Sequence, residues 1–261
     1  MKLQEIKDLL EEEYIKRNNE TELSEDKPDP LMIAREHMNE YIILTCALFA
    51  YGNAKQIVKF LKKLPFDVVD RGVSENTIRE RCKGLKYRFQ TEEDIIQWFL
   101  TLQNIRKKEK QSQKGREPKS CLLQETCVNG YKEENNTIQG IYNMIELIYE
   151  NSNGYTSNGF KFLIGQKNKS PLKRWNMFLR WLVRDDNLDL GMWLEIDKKD
   201  LIIPLDTHLF NIGKKLKLIT KNKSYNLKSA IEITENLRKI EQNDPLKYDF
   251  VIYRLGQEKL I

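Results

Sequence analysis

Apolar residues recur along most of this chain at spacings of three and four, the period of a helix buried on one face. Residues 1–17 read as an amphipathic helix with Leu3, Ile6, Leu9, Leu10 and Tyr14 on one side. A polar, acidic loop from Asn18 to Pro30 follows. Asn39–Tyr51 is almost wholly apolar, too short to cross a bilayer and so a buried core helix. Gly52-Asn53 interrupts it, and helical spacing resumes over Ala54–Leu64. Ser74 and Thr91 stand where N-caps belong, the second before a helix over Glu92–Lys108. Asn104–Lys119, basic and containing Gly115 and Pro118, reads as a linker. Thr137–Glu150 is helical and Asn151–Gly159 is a loop. No alternating hairpin pattern appears, so the expected fold is all-α.

Composition narrows the class. The chain has 261 residues, is 40% hydrophobic and 32% charged, and has no uninterrupted apolar run long enough for a membrane span. Its charged start lacks a secretory core, so a cytoplasmic protein is expected. Cys46, Cys82, Cys121 and Cys127 form no CxxC pair and there are two histidines, which argues against a metal site, an iron–sulfur cluster or disulfides. No cofactor is expected.

The net charge of +5 is unevenly spread. Residues 1–30 hold five basic and ten acidic residues, leaving the remainder at +10. Asn151–Arg184 has seven Lys or Arg and no acid, and Thr207–Ile231 has six lysines and no acid. Acid-free basic stretches suit a polyanion, because phosphate contacts release condensed counterions.

Two motifs lie in or beside these stretches. In Ser170-Pro-Leu-Lys-Arg-Trp175, Ser170 is the expected N-cap and Pro171 the first helical residue, so Lys173 falls in the first turn. A helix start, with Lys169 and Arg174 alongside, disfavours further positive charge and favours a nucleophilic amine. Trp175, Phe178, Leu179 and Leu182 then recur at core spacing, and Trp181 and Trp193 also read as core. In Leu201-Ile-Ile-Pro-Leu-Asp-Thr-His-Leu209, Asp206 opens a helix behind an apolar run. A capping aspartate accepts backbone N–H bonds that favour its charged form, and a carboxylate so placed can stabilise an oxocarbenium ion or take a proton. Local sequence alone also allows a lysine that only touches phosphate and an aspartate that only caps. His208 reads as a surface or packing residue.

Pro204-Leu-Asp-Thr-His-Leu resembles the signature of the helix-hairpin-helix (HhH-GPD) base-excision DNA glycosylases, a superfamily that includes endonuclease III and the 8-oxoguanine glycosylases. The resemblance implies a two-lobed helical fold over residues 31–261, with 1–30 as an N-terminal helix and acidic loop. It implies that Asp206 and the upstream Lys173 are catalytic. The 33 residues between them are closer to the archaeal GO glycosylase branch than to endonuclease III-like members. Blocks at 170–184, 201–208 and 244–250 are also similar to a poorly characterised bacterial family, over roughly residues 30 to 261. By resemblance to the archaeal branch, Asp249 and Tyr253, four apart on the last helix, help read the base, although Tyr248, Phe250 and Tyr253 also fit the ordinary core of a C-terminal helix.

The usual Leu-Pro-Gly-x-Gly hairpin is missing, as is the four-cysteine cluster. Gly159 to Ser170 stands in its place and reads as an altered, phosphate-holding hairpin, with Lys161, Lys167, Lys169 and Arg174 on the DNA backbone. The implied activity is a monomeric DNA glycosylase/AP lyase. It acts on double-stranded DNA carrying a damaged base, with 8-oxoguanine the first candidate. A non-catalytic helical DNA-binding protein and a monofunctional alkyl-base glycosylase, with Asp206 activating water, remain open alternatives.

Overall fold

In the computed structural model, which describes residues 3–112, 120–168, 170–222 and 224–258, the chain is all-helical. In chain order the helices are α1 (Leu3–Arg17), α2 (Pro30–His37), α3 (Glu40–Leu48), α4 (Ala54–Leu61), α5 (Val68–Arg71), α6 (Glu75–Cys82) and α7 (Glu92–Ser112). They continue with α8 (Leu122–Glu134), α9 (Thr137–Glu150), α10 (Asn158–Ile164), α11 (Lys173–Val183), α12 (Thr207–Lys215), α13 (Leu227–Arg238) and α14 (Asp249–Gln257). Extended pairing among the described residues is confined to isolated bridges at Tyr87–Gln90 and Asp185–Leu190. No described helix is long and apolar enough to cross a membrane.

The chain divides into two compact units, Pro28–Asn168 and Met1–Lys27 with Lys169–Ile261. Sequence patterning places a boundary near residue 30 but treats the N-terminal segment as separate. The structure joins it to the C-terminal half by side chains of opposite charge. Glu11 accepts hydrogen bonds from Lys247 Nζ at 2.8 Å and Tyr248 Oη at 2.6 Å, and Arg17 pairs with Glu258 at 2.7 Å. Ile6 and Leu10 are the buried positions of α1, while Leu3 is exposed.

In the Pro28–Asn168 unit, α3 is buried along its length and is capped by Asn39, whose side chain accepts from Tyr41 and Ile42 N–H. Thr91 and Asp94 cap α7 reciprocally, with Thr91 N–H to Asp94 at 2.8 Å and Asp94 N–H to Thr91 at 3.2 Å. The expected linker at 104–119 is corrected in part: residues 104–112 continue α7, and 113–119 lie outside the described residues. The run looks like a linker because it is rich in lysines, of which Lys107, Lys108 and Lys110 face water, yet Ile105 and Glu109 are buried and Glu109 accepts from Tyr41 Oη. Helix α8 is not singled out by sequence patterning; its Gly130 and the Gly140 of α9 look like weak points. They are contact points instead: a Cβ at Gly140 would meet Cys127 O at 2.6 Å, so α8 and α9 pack with backbones close together.

In the other unit the organising group is electrostatic. Arg180 of α11 and Arg184, the C-cap that follows it, are 6% and 5% exposed. Arg180 pairs with Asp189 at 3.1 Å and with Asp249, while Arg184 pairs with Asp186 and Asp244, both at 2.9 Å, and with Asp189. Burial pushes the Asp189 and Asp249 carboxyls upward, and the arginines oppose it. These two arginines therefore leave the basic surface that the acid-free stretch suggests, because acids later in the chain neutralise them.

A buried network that loses one partner leaves the opposite charge uncompensated, at a cost of about 3–5 kcal/mol. Asp189→Ala is expected to lower unfolding stability by about that amount in urea titration, whereas Lys16→Ala, at an exposed pair, shifts it by under ~1 kcal/mol.

Candidate functional site

Lys173 and Asp206 meet within one unit: Nζ lies 3.4 Å from Oδ2, with the side chains 30% and 15% exposed. Each stands at the start of a helix, but the two starts are built differently.

For α12 the sequence reading holds. Asp206 is its N-cap and its Oδ1 accepts from Leu209 N–H at 2.8 Å. One carboxylate oxygen therefore serves the helix and the other faces the amine. The approach to Asp206 is rigid because Leu201, Ile203 and Leu205 are buried. Ile203 N–H donates to Thr234 Oγ1 at 3.0 Å, and Leu205 O accepts from Tyr225 Oη at 2.9 Å.

For α11 the expected cap is corrected. Ser170 and Pro171 lie outside the helix, and its N-cap is Leu172, buried and left-handed at φ +55°. Ser170 Oγ instead accepts from Leu172 N–H at 3.2 Å in a tight turn, and Asn176 Nδ2 donates to Pro171 O at 3.3 Å. Lys173 is thus the first helical residue rather than the third. A bulky L-residue in the left-handed region costs on the order of 1 kcal/mol and persists only where its surroundings hold it, most often at functional sites.

Tyr225 is a neighbour that sequence reasoning does not single out. It stands edge-on to Phe210 at 6.0 Å, and Lys214 Nζ lies 4.0 Å above the Phe210 ring. Burial first, and then the negative charge of Asp206, push its phenol up to about 12, so it stays a neutral donor. Its one sequence signal is an aromatic inside the acid-free 207–231 stretch. The loop leading to it is held by Glu232, which accepts from Thr220 N–H at 2.7 Å, Lys221 N–H at 2.8 Å and Asn222 N–H at 2.9 Å.

The remaining sequence candidates divide. Arg174 follows Lys173 on α11 and is half-buried. Asp249, the expected base reader, is 4% exposed and is engaged by Arg180, so its carboxylate belongs to the buried network. Tyr253 is half-buried one turn further along α14, beside Phe250. His208 is exposed on α12, and Trp175, Trp181 and Trp193 are core, as patterning suggests.

Lys161 and Lys167 belong to the Pro28–Asn168 unit, where Lys167 pairs with Glu146. Lys169 lies outside the described residues. The segment read as an altered hairpin runs from inside α10 to the turn before α11. Gly159 is inside α10, where a Cβ would meet Phe89 O at 2.5 Å. Gly165 ends that helix at φ +85°, with its N–H on Lys161 O at 2.9 Å, and Asn168 N–H donates to Tyr142 Oη at 3.2 Å. Two N–H groups expected to hold phosphate are therefore used internally. No group of His, Cys, Asp and Glu suited to a metal occurs among the described residues, and the four cysteines are buried free thiols.

A family model described as a protein of unknown function (DUF2400) matches residues 29–258. The chain belongs to the DUF2400 family. No curated protein and no solved structure matches it. The DUF2400 span includes Lys173, Asp206, Tyr225 and Glu232 but not α1, which nevertheless packs on α14.

Burial pushes the Glu232 carboxyl up, but the backbone donors outweigh it and hold it at about 2, below its ordinary 4.5. A depressed folded-state value gives stability that is complete above the unfolded value and is lost as pH falls through the folded one. Wild type and Glu232→Gln are therefore expected to differ most in urea midpoint above pH 4.5, and to converge as pH falls toward 2.

Proposed function

We propose that this protein is a DNA glycosylase with AP lyase activity, of the helix-hairpin-helix type with an atypical hairpin. Lys173 is its nucleophile and Asp206 its proton acceptor. One observation carries the reading: the amine of Lys173 faces the uncommitted oxygen of Asp206 at 3.4 Å, with both groups partly open to solvent.

The chemistry follows from that contact. The Lys173 amine attacks C1′ of a nucleotide, and the N-glycosidic electron pair leaves with the base. The carboxylate stabilises the positive charge that develops on the sugar and accepts a proton from the nitrogen. Opening of the sugar ring gives an iminium, and loss of a C2′ proton expels the 3′ phosphate. Tyr225, with its phenol on Leu205 O, offers an aromatic face close to the reacting carboxylate. The proposed substrate is duplex DNA carrying an oxidised purine, 8-oxoguanine first, acted on by a monomer in the cytoplasm.

Borohydride is expected to trap a covalent protein–DNA adduct on a lesion duplex, and Lys173→Gln to abolish it. An adduct that survives this substitution removes Lys173 as nucleophile. Base release without strand cleavage by the wild type makes the enzyme monofunctional.

Asp206→Asn separates charge from capping, because asparagine caps a helix about as well as aspartate. Single-turnover excision should fall by about 10²-fold or more while the thermal midpoint stays close to wild type. Equal losses in both would make Asp206 a structural cap.

A further inference from the structure

The Pro28–Asn168 unit carries a groove of about 860 Å³ that the Lys173–Asp206 chemistry does not use. Its walls come from α4 and from the segment between α6 and α7. Lys59 on α4 and Lys63, just past its end, line it together with Lys86 and Arg88, and all four are exposed. None of the three lysines pairs with an acid among the described residues. Glu92, the acidic residue of the lining, already accepts from Gly84 N–H.

At one edge of this groove an aromatic ring is held out into solvent. Tyr87 and Gln90 exchange both backbone hydrogen bonds, at 3.0 and 2.8 Å, so Arg88 and Phe89 form the tip of a two-residue turn. The turn is anchored from both sides: Tyr87 is buried with its Oη on Tyr51 O at 2.7 Å, and Gln90 is buried with its Nε2 on Gly159 O at 2.8 Å. Arg88 is left-handed at φ +50°, a strained conformation for a residue other than glycine. Phe89 is 55% exposed and Phe162, 4.6 Å away between ring centroids, is 42% exposed. Hydrophobic collapse would bury such rings. Here a strained turn presents Phe89, and α10 presents Phe162, beside unpaired lysines.

We propose that this groove binds an unpaired nucleic-acid strand, with bases stacked on Phe89 and Phe162 and phosphates on Lys59, Lys63, Lys86 and Arg88. The combination selects the ligand. Cations alone would serve any polyanion, but fixed, exposed aromatic faces suit bases that are not already stacked in a duplex. An acidic peptide would satisfy the lysines and leave the exposed ring faces in water. The site stands apart from the glycosylase reading, since it uses no residue of the 169–261 segment and no damaged base.

The test is fluorescence anisotropy of the full chain with an undamaged single-stranded oligothymidylate of about 12 nucleotides. Phe89→Ala should weaken binding about tenfold, the loss expected for one stacked base. Phe89→Leu, which keeps apolar packing but removes the ring, should do nearly the same. The Lys59→Ala/Lys63→Ala pair should reduce the slope of log affinity against log salt by about 1.4, roughly 0.7 for each phosphate contact to a single strand. The proposal is overturned if folded Phe89 variants bind as wild type does. It is equally overturned if duplex of the same length binds more tightly than the single strand, or if polyglutamate competes as well as the oligonucleotide. Because the probe has nothing to excise, the binding should persist even if no adduct is ever trapped. Loss of its dependence on Phe89 would remove the groove alone.

Discussion

Two arginines four residues apart at the C-terminal end of α11, the second its C-cap, are buried among four aspartates and are the constraint on which the Lys173–Asp206 geometry rests. Arg180 and Arg184 reach Asp186 and Asp189 just beyond their own helix, Asp244 ahead of α14, and Asp249 at its first residue. Charges this deep hold their partners tightly, because any displacement leaves an ion unsolvated. The helix that carries Lys173 is thereby tied to α14, and α14 packs against α12, the helix that Asp206 caps. A chain of contacts within one unit thus runs from a buried ionic core to a 3.4 Å contact at its partly exposed edge.

That contact depends on a division of labour within one carboxylate. Oδ1 of Asp206 holds the first turn of α12 and Oδ2 faces Lys173. Capping therefore orients the acid without consuming it. The same economy appears in the loop before α13, where Glu232 gathers three successive backbone amides and leaves Tyr225 placed with its hydroxyl on the carbonyl just before Asp206. The lysine, by contrast, enters its helix through a left-handed leucine with no capping side chain. Strain next to the lysine and tight hydrogen bonding at the carboxylate form an asymmetry that a purely structural ion pair would not require.

Much of this was legible in the linear order of residues. The 3.6-residue spacing of apolar positions yields an all-helical chain, since helices bury one face wherever that period holds. Short polar side chains just before helical runs mark Ser74, Thr91 and Asp206 as caps, because capping is a local interaction between a side chain and N–H groups two or three residues ahead. The buried tryptophans and the exposed His208 follow from the same local patterning.

Local rules fail where the partner lies far away in sequence. Arg180 and Arg184 read as a basic surface because the acids that neutralise Arg180 and help neutralise Arg184 lie up to 69 residues downstream. Asp249 reads as a free polar group for the same reason. Gly159 reads as the end of a loop, whereas close approach of Asp94 and of the Phe89 carbonyl explains a glycine inside α10. Tyr225 has no local mark, since its placement comes from Glu232 and from Leu205. The sequence by itself determined which segments coil and which side chains cap them, because those interactions reach no further than a turn. Only the tertiary structure decided which charges are buried, which rings stay in water, and that Lys173 and Asp206, 33 residues apart, stand within one ion-pair distance.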